Sequence, residues 1–204
     1  LNNLTRYKSN LKLDVLMHKK QLIKYNLPFT HAHLISNSLA IVSCLDSMNL
    51  NVNFIKNYGK TDLTSGRGNL IKTKIKNKNV NILDHSYNAS PESFSETIKS
   101  FHNYNHKNKI YIIGEMFELG KKSFYYHNSL YKLITSLNSK NCFFVGKQFN
   151  FIKKSNNKRK YDIFINTADL IEKFDYDICC NSIIYIKGSN AVGLNKFISH
   201  IKNK

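Results

Sequence analysis

Three short strings bring together residue types that could do chemistry. The first, Asp84-His85-Ser86-Tyr87-Asn88-Ala89-Ser90-Pro91, groups a carboxylate, an imidazole and an amide. Such a set could hold a ribose hydroxyl or orient a reacting group, and Asp and Asn are equally common as turn formers. The second, Gly114-Glu115-Met116-Phe117-Glu118-Leu119-Gly120, offers two acids that could orient a substrate amine or a metal, or else a structural turn closed by two glycines. The third, Tyr185-Ile186-Lys187-Gly188-Ser189-Asn190, puts an ammonium at the tip of an apolar run. There Gly188 would give backbone freedom and Ser189 an N-cap for the final helix. An ammonium beside exposed helix N–H groups suits a phosphate or a carboxylate, with a solvated lysine as the plain alternative.

Other strings point away from chemistry. Asn57-Tyr58-Gly59-Lys60-Thr61 ends like a phosphate-binding loop, but that loop needs a glycine five residues before Gly59, where Phe54 stands. Cys44, Cys142, Cys179 and Cys180 form no C-x-x-C pair and have no ligand-like spacing to histidine, so reduced, mostly buried thiols are expected. His31, His33 and His127 show no metal-like spacing and read as core or surface residues, and no metal ligand is assigned in this chain.

The elements that must position the three strings follow from apolar periodicity. Five short runs, 80–83, 110–113, 142–145, 161–165 and 183–186, have the length of strands. Helical stretches at 91–104, 123–137, 168–174 and 190–201 alternate with them, which predicts an α/β fold with a mostly parallel sheet covered by helices on both faces. Ser90, Pro91 and Glu92 supply an N-cap, a first-turn proline and an acid at the positive end of a helix. All three strings then fall at carboxyl ends of strands, the edge at which open α/β sheets bind ligands. Upstream, the spacing of Leu34, Ile35, Leu39, Ile41, Val42 and Leu45 predicts a mostly buried helix over 32–48, after short strand-like pieces in residues 1–28 that have no nucleus of their own.

Taken in order, these strings resemble the Mur ligase family, with its D-x-Y-N-A-N-P, G-D-M-x-E-L-G and K-G-S signatures. His33-Leu34-Ile35-Ser36-Asn37-Ser38-Leu39-Ala40 resembles the family's H-N-x-x-N-x-L-A helix, and Gly66-Arg67 its G-R before the last domain. Leu34, His85 and Asn190 stand where the family usually has Asn, an acid and Arg.

The resemblance implies that residues 1–77 are the tail of a central ATP-binding domain and 78–204 a C-terminal Rossmann-like domain. The chain would be a fragment without the phosphate loop and inactive alone. It implies a cytoplasmic ATP-dependent carboxylate–amine ligase of peptidoglycan precursor synthesis, adding D-Ala-D-Ala to UDP-MurNAc-tripeptide through an acyl phosphate. ATP and Mg2+ would be required, with the magnesium ligands upstream of this chain. By the same resemblance Asn37, Arg67 and Asp84 would contact the nucleotide. Lys187 and Asn88 would serve the reaction and, with Tyr87 and Ser189, the peptide substrate. The enzyme is expected to be a monomer. Another amide ligase of the superfamily, such as folylpolyglutamate synthase, is the alternative, although its usual loop lacks Tyr87-Asn88-Ala89.

Composition sets the outer bounds. At 204 residues, 42% hydrophobic and 12% aromatic, the chain can bury a core and is too short for a large multidomain machine. No stretch approaches the roughly 20 apolar residues of a membrane span. The formal charge of +18 invites a basic nucleic-acid-binding module. Yet only Arg6, Arg67 and Arg159 among the 31 basic residues are arginines, and the lysines are spread throughout. Lysine is a poorer bidentate reader of phosphate and guanine than arginine. Abundant Lys, Asn, Ile, Tyr and Phe point instead to an AT-rich genome, and no nucleic-acid partner is expected.

Overall fold

A computed structural model describes residues 3–7, 10–17, 22–28, 35–60, 64–154 and 161–203. The chain divides into two compact units, Leu1–Leu63 and Thr64–Lys204.

In the first unit, strands β1 (Asn3–Tyr7), β2 (Asn10–Leu16) and β3 (Leu22–Pro28) form an antiparallel sheet in the order β1-β2-β3. The strand-like pieces do make a nucleus. Strict alternation buries Leu11, Leu13 and Val15 on one strand, with Met17 just past its end, and Ile23, Tyr25 and Leu27 on the next, giving one apolar face. Helix α1 (Ile35–Ser47) follows, then a 3-10 segment, Val52–Lys60, that buries Val52 and Ile55. The expectation of a mostly buried helix is corrected: α1 buries only Ser38 and Val42 among its residues, and Ile41 is exposed. Its apolar residues are spread around the cylinder instead of forming one stripe, so one contact face cannot cover them all. The contact that is made includes a hydrogen bond between the Tyr25 and Ser38 hydroxyls, 2.7 Å apart.

The second unit is built on a six-stranded sheet. Its strands are β4 (Asn69–Ile75), β5 (Lys78–His85), β6 (Lys109–Gly114), β7 (Asn141–Val145), β8 (Asp162–Phe164) and β9 (Ser182–Lys187), in the order β4-β5-β9-β6-β7-β8. The five strands read from the sequence run parallel to one another. Sequence reasoning missed β4, which pairs antiparallel with β5 from Asn69↔Asp84 to Ile75↔Lys78. As an edge strand it alternates exposed Leu70, Lys72 and Lys74 with half-buried residues, and so shows no continuous apolar run. The sheet thus begins upstream of residue 78.

Alternation along each strand feeds two cores. Leu83, Tyr111, Ile113, Phe144 and Tyr185 meet helices α2 (Pro91–His102) and α3 (Ser123–Ser136), through Phe94, Ile98, Phe101, Leu130, Tyr131 and Ile134. Ile82, Ile112, Val145, Ile184 and Ile186 meet α4 (Thr167–Lys173) and α5 (Leu194–Lys202), through Leu170, Leu194, Phe197, Ile198 and Ile201. Strands β6 and β9, flanked by other strands and covered on both faces, therefore read as unbroken apolar runs. The fold is α/β, with a mostly parallel sheet between two helix layers, as expected. No helix among the described residues is long and apolar enough to cross a membrane.

Candidate functional site

The carboxyl ends of β5, β9 and β6 are adjacent, and the three strings emerge there side by side. Asp84 pairs in register with Ile186, and His85 with Lys187. Ile113 pairs with Lys187 from the other side.

After β5 the chain turns into α2 with the expected cap. The Ser90 hydroxyl accepts the N–H of Ser93, and the Ser93 hydroxyl accepts that of Ser90, a reciprocal capping box ahead of Pro91. This fixes the loop that carries Tyr87 and Asn88. Asn88 is exposed, and its side-chain oxygen accepts the N–H of Ala89 at 2.8 Å. Its backbone carbonyl accepts the Lys187 ammonium at 2.9 Å.

Lys187 is only 4% exposed. Its Nζ lies 5.4 Å from the centroid of the Phe94 ring. With one carbonyl and one aromatic face in place of bulk water, burial pushes its pKa down from 10.5 to about 8. A solvated lysine is therefore not what stands at the strand tip.

Asp84 is brought to the same edge, but not to the same side. Strand alternation sends His85 and Lys187 toward the α2 and α3 layer, where the His85 and Tyr185 rings are 5.6 Å apart. Asp84 shares the opposite parity with Ile82 and Ile186. Its carboxylate is buried and accepts the N–H of Ser86 at 2.9 Å, which makes it a turn-former as the loop stands. Above it, Gly68 donates its N–H to the Asp84 carbonyl. Arg67 is exposed, and its guanidinium carbon lies 4.3 Å from the centroid of the Tyr87 ring. This stacking depends on Gly66, whose φ is +80° and whose carbonyl accepts the Tyr87 N–H. A Cβ there would come within 2.8 Å of Tyr87.

The K-G-S turn corrects two expectations. Gly188 is present because its Cα meets that of Gly114, and a Cβ on it would lie 2.9 Å from that atom. Close approach of two backbones, not conformational freedom, explains the glycine. Ser189 makes no side-chain cap; the residue ahead of α5 is Gly193. The Ser189 hydroxyl instead accepts the Phe117 N–H at 2.9 Å, and its own N–H donates to the Glu115 carbonyl at 3.0 Å. The 115–120 loop is thereby tied to the tip of β9. Its acids have unequal roles: the Glu115 carboxylate accepts the Gln148 N–H at 3.0 Å, whereas Glu118 is exposed with φ of +63°.

The structure thus brings Asn88, Lys187 and Ser189 together, with Tyr87 and Arg67 forming a stacked pair beside them. Asn37 is exposed on α1 in the other unit. His31, His33, Leu34 and Thr61 lie outside the described residues. Among those described, no group of three or more His, Cys, Asp and Glu is placed to hold a metal ion. His127, read from the sequence as a core or surface residue, is fully buried, and its bond to the 115–120 loop is what the sequence did not show. Its separation of 11 residues from Met116 carries no chemical signal by itself.

A Rossmann-like α/β unit with a buried ammonium, an exposed amide and a stacked guanidinium at one sheet edge carries these groups where open α/β sheets bind ligands. No protein-family model matches the chain. It is, however, 31% identical over 186 residues to the UDP-N-acetylmuramoyl-tripeptide–D-alanyl-D-alanine ligase of Rickettsia prowazekii, an alignment covering 88% of this chain and 40% of that protein. Its fold matches crystal structures of MurF from Acinetobacter baumannii (TM-score 0.81, 19% identity, 100% of this chain and 44% of the other). It also matches MurF ligase from Thermotoga maritima in complex with ADP (TM-score 0.73, 19% identity, 99% and 45%). The chain is related by sequence to the Mur ligases, and among them to MurF, and it spans less than half the length of these relatives.

Proposed function

We propose that this chain serves an ATP-dependent carboxylate–amine ligase that joins D-Ala-D-Ala to UDP-MurNAc-tripeptide in peptidoglycan precursor synthesis, in the cytoplasm. In this reading the first unit, Leu1–Leu63, corresponds to the tail of the ATP-binding domain and the second, Thr64–Lys204, to the C-terminal domain; the boundary falls ahead of the 77/78 division expected from the sequence because β4 joins the second unit's sheet. The observation that carries the reading is the meeting of Lys187 and Asn88 at the carboxyl edge of the sheet, in a chain with MurF relatives.

The proposed reaction has two steps. The terminal carboxylate of the tripeptide takes the γ-phosphoryl group of ATP, giving an acyl phosphate and ADP. The dipeptide amine then attacks the acyl carbon, and the tetrahedral intermediate expels phosphate and loses a proton to leave the amide. The first step concentrates negative charge and the second requires two substrates in line, so fixed cations and positioned polar groups are what the protein must contribute.

Lys187 suits a carboxylate or phosphate oxygen because its ammonium is held by one carbonyl and has donors left over. Asn88 and Tyr87, both exposed, would contact the peptide, and Ser189 would act there through the loop it ties down. Arg67 fits nucleotide phosphate: its guanidinium is exposed and oriented by Tyr87. By the family resemblance Asn37 would contact the nucleotide, and Asp84 would do so only after its loop opens the carboxylate to a ribose. Among the described residues no group of three or more His, Cys, Asp and Glu stands together to hold magnesium.

The test is a chimera in which this chain replaces the matching segment of the Rickettsia prowazekii ligase. Release of phosphate from ATP only when UDP-MurNAc-tripeptide and D-Ala-D-Ala are both present is the expected result. A folded chimera that releases none, or that accepts a glutamate in place of the dipeptide, overturns the reading.

A further inference from the structure

We infer that His127 is a positioning residue that holds the 115–120 loop against the Lys187-Gly188-Ser189 turn. The inference deepens the proposed function and rests on it for its catalytic consequence, although not for its geometry.

The His127 ring has one possible protonation pattern. Its Nδ1 lies 2.7 Å from the Ser123 carbonyl oxygen, which can only accept, so Nδ1 carries the hydrogen. Its Nε2 lies 2.9 Å from the backbone nitrogen of Met116, which can only donate, so Nε2 carries the lone pair. The ring is fully buried and packs edge-on against Phe149, with centroids 5.1 Å apart. The first turn of α3 is thereby fastened to the start of the loop.

The neighbouring amides complete the clamp. Glu115 donates its N–H to the Val145 carbonyl and accepts that of Ser189, and Phe117 donates to the Ser189 hydroxyl. Three consecutive loop residues are therefore bonded to β7, α3 and the K-G-S turn. His127 supplies the only one of these partners that can gain a proton near neutral pH. A proton on Nε2 would face the Met116 N–H head-on and abolish that bond. Burial already holds the imidazole below its ordinary pKa, opposed by the bond to Ser123 and by Glu115, the charged group acting on it.

Two variants of the 204-residue chain test this. In His127→Phe the ring volume stays but the acceptor is lost; in His127→Gln an amide oxygen can replace Nε2. Expected is exchange of the Met116 amide hydrogen at least roughly ten-fold faster in His127→Phe, relative to Ile112 in β6, with shifted Phe117 and Ser189 amide resonances. His127→Gln should recover most of the protection. Should His127→Phe fail to fold, the ring 15N resonances of the unmodified chain decide: a neutral Nδ1–H form at pH 7.5 supports the assignment, and an Nε2–H form overturns it. Unchanged Met116 exchange, or unmoved Phe117 and Ser189 resonances, also overturns it. In the chimeric ligase His127→Phe should lower kcat more than it raises KM, with His127→Gln restoring it. An altered loop with unaltered turnover would refute the placement of catalysis at this turn, while leaving the clamp itself established.

Discussion

The Lys187 ammonium donates to the backbone carbonyl of Asn88, 99 residues away in the chain, at 2.9 Å, joining the tip of β9 to the loop that follows β5. The anchor is a main-chain atom, so the position of the cation depends on the α2 cap that fixes the loop, not on the Asn88 side chain. Removing the Asn88 amide should leave the lysine where it is. That separation makes the two residues distinguishable by experiment.

In the chimeric ligase, Lys187→Ala and Asn88→Ala should each lower kcat/KM by ~10–1000-fold, the range expected when one charge-stabilising or orienting contact is lost. For Asn88→Ala the loss would report contact with substrate, because the Lys187 anchor survives. Steady-state kinetics with varied D-Ala-D-Ala checks this. Unaltered kinetics in both variants would remove the peptide end from this edge.

Lys187 also predicts a distinctive alkaline stability profile. Its amine gives up a proton at about 8 in the folded chain against 10.5 for the unperturbed group. Between those values the unfolded chain holds more protons, so this group makes stability rise as pH increases, by up to about 3 kcal/mol. Urea unfolding of wild type and Lys187→Met across pH 7 to 11 should show wild type gaining on the variant. Parallel curves would show that the ammonium is not desolvated.

His127 gives the acid side. Its folded pKa is lowered while the unfolded imidazole titrates near 6.5, so the unfolded chain takes up the proton first as pH falls. Stability from this residue is complete above about 6.5 and declines below it. The wild-type chain should therefore lose more stability than His127→Phe between pH 7 and 5 in matched denaturant titrations. An equal loss in both would rule out a buried neutral ring.

Gly188→Ala should destabilise the second unit by about 1–3 kcal/mol, since the new methyl would press on the Gly114 Cα at 2.9 Å and the Leu194 side chain at 3.0 Å. The variant should unfold at lower urea with the same slope. A neutral result would mean that the tips of β6 and β9 can part freely.

Much of the fold was legible because burial on both faces leaves a local trace. Strands β6 and β9 are apolar at nearly every position, and α2 announces itself through Ser90 and Pro91. Edge elements leave no such trace. Strand β4 exposes every second residue, and α1 mixes apolar residues around its circumference, so periodicity missed the first and overstated the burial of the second. The site was legible as strings: Asp84, Glu115 and Lys187 stand at or beside strand ends, and Asn88 in the loop that follows Asp84.

By itself the sequence determined which side chains reach the carboxyl edge of the sheet, because strand length, alternation and capping are local properties. Only the tertiary structure decided how they face one another. The β5-β9-β6 order placed Lys187 on the Asn88 carbonyl, turned Asp84 to the opposite face and set Gly188 against Gly114. It also put the His127 ring beneath Met116. Strand order depends on how two helix layers bury their apolar faces together, a sum over contacts distant in the chain that no local pattern of residues records.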